Sequence, residues 1–90
     1  MVSRARQDRL EITIFLEEQS RFAADDLDDR IDSSLDSLAH FPRLGRLGKV
    51  GGTRELLVQR TPYILIYSIS DKIMVLRLIH AAQQWPAEEQ

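Results

Sequence analysis

From Arg4 to about Gln19 apolar residues recur at helical spacing. Ala5, Ile12, Phe15 and Leu16 fall on one stripe, with Asp8, Glu11, Glu17 and Glu18 outside it. Ser3 stands where the cap of this first helix is expected. From Phe22 to Phe41 the positions Ala24, Leu27, Ile31, Leu35 and Leu38 step in threes and fours, which predicts a second helix with one buried face. Ser20 can cap it, and Asp25 and Asp26 then sit in its first turns, near the positive end of the macrodipole. Pro42 disfavours helical geometry at Phe41 and marks the end. The connection around Ser20 and Arg21 is short, so the two helices should form an antiparallel hairpin.

Gly45, Gly48, Gly51 and Gly52 then break any period, and residues 42–52 are expected to be loop. Three β-rich runs follow: Arg54–Gln59, Tyr63–Ser70 and Ile73–Ala81. Thr61-Pro62 separates the first pair and Ser70-Asp71-Lys72 the second, gaps that suit hairpins in an antiparallel meander. Helices first and strands after them indicate α+β, with the helical hairpin packed on a small sheet. Pro86 and the polar Ala87–Gln90 are expected to form a loose tail. Residues 1–90 should be one domain, without internal repeats.

Composition narrows the class. The 90 residues are 43% hydrophobic and 29% charged, which excludes a disordered tail or a collagen-like repeat. With no cysteine, a disulfide framework and Cys-based metal or redox chemistry are excluded. The longest apolar run, Tyr63 to Tyr67, falls far short of the roughly 20 residues a membrane helix needs. Met1–Arg6 has basic residues but no apolar region behind it, so a soluble cytoplasmic protein is expected. A chain this short buries only roughly 60–65% of its unfolded surface, and marginal stability or help from a partner follows.

The net charge of −2 conceals an asymmetry. Residues 1–42 hold five Arg against ten Asp and Glu, net −5; residues 43–90 hold seven Lys and Arg against four Asp and Glu, net +3. Arg43, Arg46, Lys49, Arg54 and Arg60 crowd one stretch opposed only by Glu55. Such asymmetry can mark an acidic-partner surface, or simply acidic helices facing water beside a mildly basic sheet. A typical nucleic-acid binder would be basic overall.

Most candidate chemistry is weak. The glycine stretch lacks the Gly-Lys-Ser/Thr ending of a phosphate-binding loop and follows no strand, so a flexible connector is the better reading. His40 and His80 alone cannot build a structural zinc site, and no cofactor is called for. No G-x-S-x-G elbow is present. Asp25, Asp26, Asp28, Asp29, Asp32 and Asp36 lack calcium-loop spacing and read as a solvated face. Arg54, with Lys49 and Arg60 near it, is a candidate anion contact. His80 is expected on the face of Met74, Leu76 and Leu78, where a hydrogen-bonded structural role outweighs acid–base chemistry. Trp85 after the last strand reads as a pin holding the terminus on the core.

The order of motifs carries more. Phe41-Pro42-x-x-Gly45-Arg46 precedes Gly52-Thr53-Arg54-Glu55-Leu56, then Pro62-Tyr63-Ile64-Leu65-Ile66-Tyr67, and the run ends Val75-Leu76-Arg77-Leu78-Ile79-His80-Ala81-Ala82-Gln83-Gln84-Trp85-Pro86. This resembles the ParE/RelE superfamily of bacterial type II toxin–antitoxin toxins; Ala5, Asp8, Ile12 and Leu16 also fit. The resemblance implies a helical hairpin on an antiparallel sheet, and a cognate antitoxin that forms a hetero-oligomer with the toxin. ParE-type members poison DNA gyrase; RelE-type members cut mRNA on the ribosome. Two departures bear on the choice. The family's first strand is reduced to Met1-Val2, which should leave an open sheet edge for the antitoxin to cover or place the native start upstream. Ile64 stands where RelE-type nucleases carry Arg, and Ala82, Gln83, Gln84 and Trp85 replace their basic and Tyr residues near the C-terminus. A ParE-like gyrase inhibitor, acting in plasmid stabilisation and similar systems, is therefore the leading reading. Its expected partner-binding residues are Arg54, Lys49, Arg60, Arg77 and Trp85. The alternatives are an mRNA endoribonuclease using His80, Arg54 and Arg77, and a degenerate member that still binds antitoxin.

Overall fold

The computed structural model describes residues 1–87, so Glu88–Gln90 of the expected tail lie outside the described residues. Helices α1 (Ser3–Gln19) and α2 (Arg21–His40) precede strands β1 (Arg46–Leu47), β2 (Arg54–Leu57), β3 (Tyr63–Ile69) and β4 (Ile73–His80). The four strands form one antiparallel sheet in the order β1-β2-β3-β4, and the α+β architecture is as expected.

Ser3 is the first helical residue, not the cap. Val2 holds the cap position in extended geometry, its apolar side chain makes no capping bond, and its N–H donates to the Val75 carbonyl of β4 at 3.0 Å. The chain thus leaves the edge of the sheet and enters the helix directly. At the other end a single residue, Ser20, joins the helices. Its N–H donates to Leu16 O at 2.8 Å, and its Oγ accepts the Ala23 N–H at 3.3 Å. Because α2 starts at Arg21, Asp25 and Asp26 fall in its second turn, beyond the unpaired N–H groups of the first. Asp26 instead pairs with Arg30 one turn on, at 2.8 Å.

The buried face of α1 also differs from the predicted stripe. Ala5 and Asp8 are buried, Ile12 and Leu16 pack against the core, and Phe15 is exposed. The face actually used steps 5, 8, 12, 16, so a carboxylate occupies a position that the apolar pattern left outside. The physical reason is its partners, described below.

The stretch 42–52 is not simply loop. β1 lies inside it and pairs Arg46 with Glu55 and Leu47 with Arg54. Gly45 is buried, and a Cβ there would lie 2.7 Å from Tyr67 Oη and 2.8 Å from the Glu55 carbonyl oxygen. This glycine is required by close approach rather than flexibility.

Cross-strand partners share a face of the sheet. On the helix side run the rows Leu47, Arg54, Tyr67, Val75 and Leu56, Leu65, Leu78. On the far side run Arg46, Glu55, Ile66, Arg77 and Leu57, Ile64, Ile79. The register shifts between Ile66 and Tyr67, which pair with Arg77 and Val75, so Leu76 is an extra residue in β4. The main core joins Ala5, Leu27, Ile31 and Leu38 of the helices to Val58, Tyr63, Leu65, Tyr67, Val75 and Leu78. Ile66 and Ile79 are buried as well, on the far side.

Candidate functional site: two edges of the sheet

The sequence-predicted site residues divide between the two ends of the sheet. At the β4 edge, Asp8 of α1 is only 5% exposed and gathers several donors. Arg77 Nε and Nη2 donate to its two carboxylate oxygens at 2.7 and 3.2 Å, and the Leu78 N–H donates to Oδ2 at 3.0 Å. Arg4 Nε adds a contact at 3.5 Å. The Arg77 guanidinium also lies 5.4 Å from the centre of the Trp85 ring, within cation–π range. Part of the outer side of β4 is therefore engaged by this chain itself. Val2 takes a carbonyl of β4 and Asp8 takes an N–H, two internal contacts along an edge expected to be open. Arg77 and Trp85, read as partner contacts, are held here by intramolecular packing and pairing.

His80 does not share a face with Met74. The extra residue Leu76 shifts the alternation, so His80 lies across from Tyr63 on the side of Leu78 and Val75. It is exposed, its ring meets Tyr63 edge-on at 5.4 Å, and Nδ1 accepts the Ala82 N–H at 3.0 Å. These contacts fix the chain where it leaves β4.

At the β1–β2 end, Tyr67 and Arg54 fasten the segment between α2 and β1. Tyr67 Oη donates to the Pro42 carbonyl at 2.8 Å and accepts the Gly45 N–H at 2.9 Å. Arg54 Nη1 donates to the Gly45 and Arg43 carbonyls at 2.8 and 3.4 Å. No α2 carboxylate pairs with Arg54 among the described residues; Asp28 and Asp32 both hold Arg9 at 3.0 Å, and Asp26 holds Arg30. The acidic run is thus partly engaged in bridging the helices rather than wholly solvated. Those partners, although burial opposes it, raise the Arg9 pKa above its ordinary value.

On the far face Glu55 is 6% exposed. It accepts from Arg46 Nη2 at 3.0 Å and from the Lys49 N–H at 3.1 Å. Burial pushes its carboxyl up, but the Lys49 N–H and the Arg46 guanidinium outweigh burial and hold the pKa below the ordinary glutamate value. Lys49 thus contributes its backbone, and Arg60 sits exposed in the turn after β2 with a left-handed φ of 62°. Arg54 is at the start of β2 and Arg60 beyond its end, so a strand length of roughly 13 Å separates them. Arg60 therefore lies apart from Arg54, while Lys49, in the β1–β2 turn, is at the Arg54 end of the strand.

A different surface is present there. Phe41 (67% exposed), Leu44, Leu47 (77% exposed) and Ile69 are large apolar side chains left in solvent. Two adjoining grooves run among them, sharing Arg43 and Ile69 in their walls. In the sequence Arg43 stands out only as part of a charge run, and no local pattern marks these apolar residues as exposed. Phe41-Pro42 signalled the helix end, which masked their exposure.

A sequence-family model described as "ParE toxin of type II toxin-antitoxin system, parDE" matches residues 2–85, from the Val2 contact on β4 through Trp85. The chain belongs to the ParE toxin family. It is similar to the protein named Putative toxin Y4kP from Sinorhizobium fredii (strain NBRC 101917 / NGR234), with 41% identity over 76 residues, 84% of this chain and 79% of that protein. Membership of the ParE family implies an antitoxin partner within a toxin–antitoxin system. No helix among the described residues is long and apolar enough to cross a membrane.

Proposed function

We propose that this ParE-family protein is a cytoplasmic growth inhibitor that binds DNA gyrase and is neutralised by a cognate antitoxin. The observation that carries the choice of target is the separation of the groups a nuclease would need. Arg77 is paired to Asp8 at the β4 edge, and Arg54 is fastened to two carbonyls on the opposite side of the sheet. His80 is at the far end of β4, four register positions along β3 from the row of Arg54, roughly 13 Å along the strand. Phosphodiester cleavage by 2′-OH attack needs a base, an acid and cations converging on one phosphate. Binding a protein target needs no such convergence.

The test pairs two assays on purified protein. Gyrase supercoiling should be inhibited, and inhibition should be reversed by adding the product of the adjacent reading frame. On purified ribosomes, mRNA should remain intact. Codon-positioned cleavage that His80→Ala abolishes would replace this reading with the endoribonuclease, and inactivity in both assays would leave the degenerate member.

A further inference from the structure

We infer that the apolar, cationic surface formed by Phe41, Arg43, Leu44, Leu47, Arg54 and Ile69 docks an acidic, amphipathic segment of the antitoxin. The inference rests on the antitoxin partnership above and specifies where and by what chemistry it forms.

Three observations support this surface over the others. First, its apolar side chains come from separate places: Phe41 and Leu44 in the segment after α2, Leu47 in β1, and Ile69 at the end of β3. They are brought side by side by the Tyr67 and Arg54 bonds to the 42–45 segment, which also hold the surface rigid. A pre-formed anchor site limits the ordering cost of binding. Second, no carboxylate lines either groove among the described residues, while both contain Arg43 and one contains Arg54. Arg54 uses Nη1 on carbonyls, so Nε and Nη2 have no protein acceptor among the described residues. Third, two other grooves contain carboxylates of their own. The groove beside Leu10 on the hairpin contains Arg9, already paired with Asp28, and the groove between α2 and β2 contains Asp26 and Asp29 with Arg30. Charge complementarity therefore selects carboxylates on the incoming segment, and the exposed Phe and Leu select apolar anchors between them. Arg offers a planar fork to each carboxylate. The edge of β1 runs through the same surface with its outer side unpaired, so an extended stretch can lie along it.

The experiment measures binding of the full-length toxin to the product of the adjacent reading frame by calorimetry. The double variant Arg43→Glu, Leu47→Ser alters two exposed side chains and should melt like wild type. It should bind at least about 30-fold more weakly, the loss expected for truncating an interface anchor with reversed charge. Leu10→Ser, on the hairpin groove, should bind within about 3-fold of wild type. Arg43→Lys should recover part of the affinity. Wild-type affinity in the double variant would overturn the docking surface while leaving the antitoxin partnership intact. Absence of binding by wild type would overturn the partnership itself. A wild-type dimer in sedimentation that Arg43→Glu dissociates would reassign the surface to a second copy of this chain.

Discussion

The two edges of the sheet are opposites. At β4 the edge is partly closed from within: Val2 takes a carbonyl, Asp8 takes the Leu78 N–H, and Arg77 is locked between a carboxylate and an indole. At β1 the edge is two residues long, flanked by exposed Phe41, Leu44 and Leu47, with Arg43 facing solvent. One arginine is satisfied by its own fold and the other is left for something else. Cationic side chains on one small sheet can therefore have opposite meanings, and what decides is whether a carboxylate reaches them from inside. Stability should depend on the closed edge and recognition on the open one.

Asp8→Ala should break the closed edge. It removes the acceptor for Arg77 and for a backbone N–H, and it leaves a mostly buried guanidinium unpaired. Loss of a buried partner typically costs about 3–5 kcal/mol, a large part of a small domain's stability, and urea denaturation should read it. An unchanged midpoint would mean that Arg77 finds another partner.

Gly45→Ala should damage the support beneath the open edge. The new Cβ would meet Tyr67 Oη and the Glu55 backbone, and relief requires moving the 42–45 segment. Overpacking of this kind costs about 2 kcal/mol, measurable as a lower melting temperature. Arg54→Ala should cost less, about 1 kcal/mol, since one guanidinium nitrogen serves two carbonyls at a partly exposed site.

Glu55 sharpens the comparison through pH. Its carboxyl titrates lower in the folded chain than in the unfolded one, so the ionised form favours folding. That stabilisation is complete above the unfolded glutamate range and is lost as pH falls from about 5 through the depressed folded value. Glu55→Gln should flatten this part of the acid limb of the stability curve; an acid limb identical to wild type would mean that other carboxylates produce it. The smallest effect is expected at the open edge. Leu47→Ser should alter the stability of the free toxin by less than about 0.5 kcal/mol, because its side chain is already in water.

Much of this was legible in the chain's pattern. The spacing of Ala24, Leu27, Ile31 and Leu38 predicts the buried face of α2, and all four are core residues. Ser20, Pro42 and the turn residues before Tyr63 and Ile73 place the breaks between elements to within a few positions. Asp8 shows why α1 was harder. A carboxylate can occupy a buried helix position when a distant strand supplies two cationic donors and an N–H, and Arg77 is 69 residues away in sequence. Local periodicity contains no trace of that pairing. His80 shares a face with Leu78 as expected, but Met74 falls on the other face for a related reason. Alternation assigns faces by counting, and the extra Leu76 changes the count without any glycine or proline to announce it. Arg54 and Arg60 are close in sequence, but they stand at opposite ends of β2, and only Lys49, in the β1–β2 turn, stays at the Arg54 end. The open apolar surface was missed because exposure is a property of what fails to pack, which composition does not record.

The joint at Ser20 has a hereditary consequence. A helix turns by about 100° per residue, so a one-residue connection lets the length of the chain, not its chemistry, set the rotation of α2 against α1. Replacing Ser20 should remove a single capping bond, of the order of 1 kcal/mol. Inserting one codon beside it would turn Leu27 and Ile31 out of the core and carry Asp28 and Asp32 away from Arg9. Position 20 should therefore tolerate a change of residue far better than a change of length.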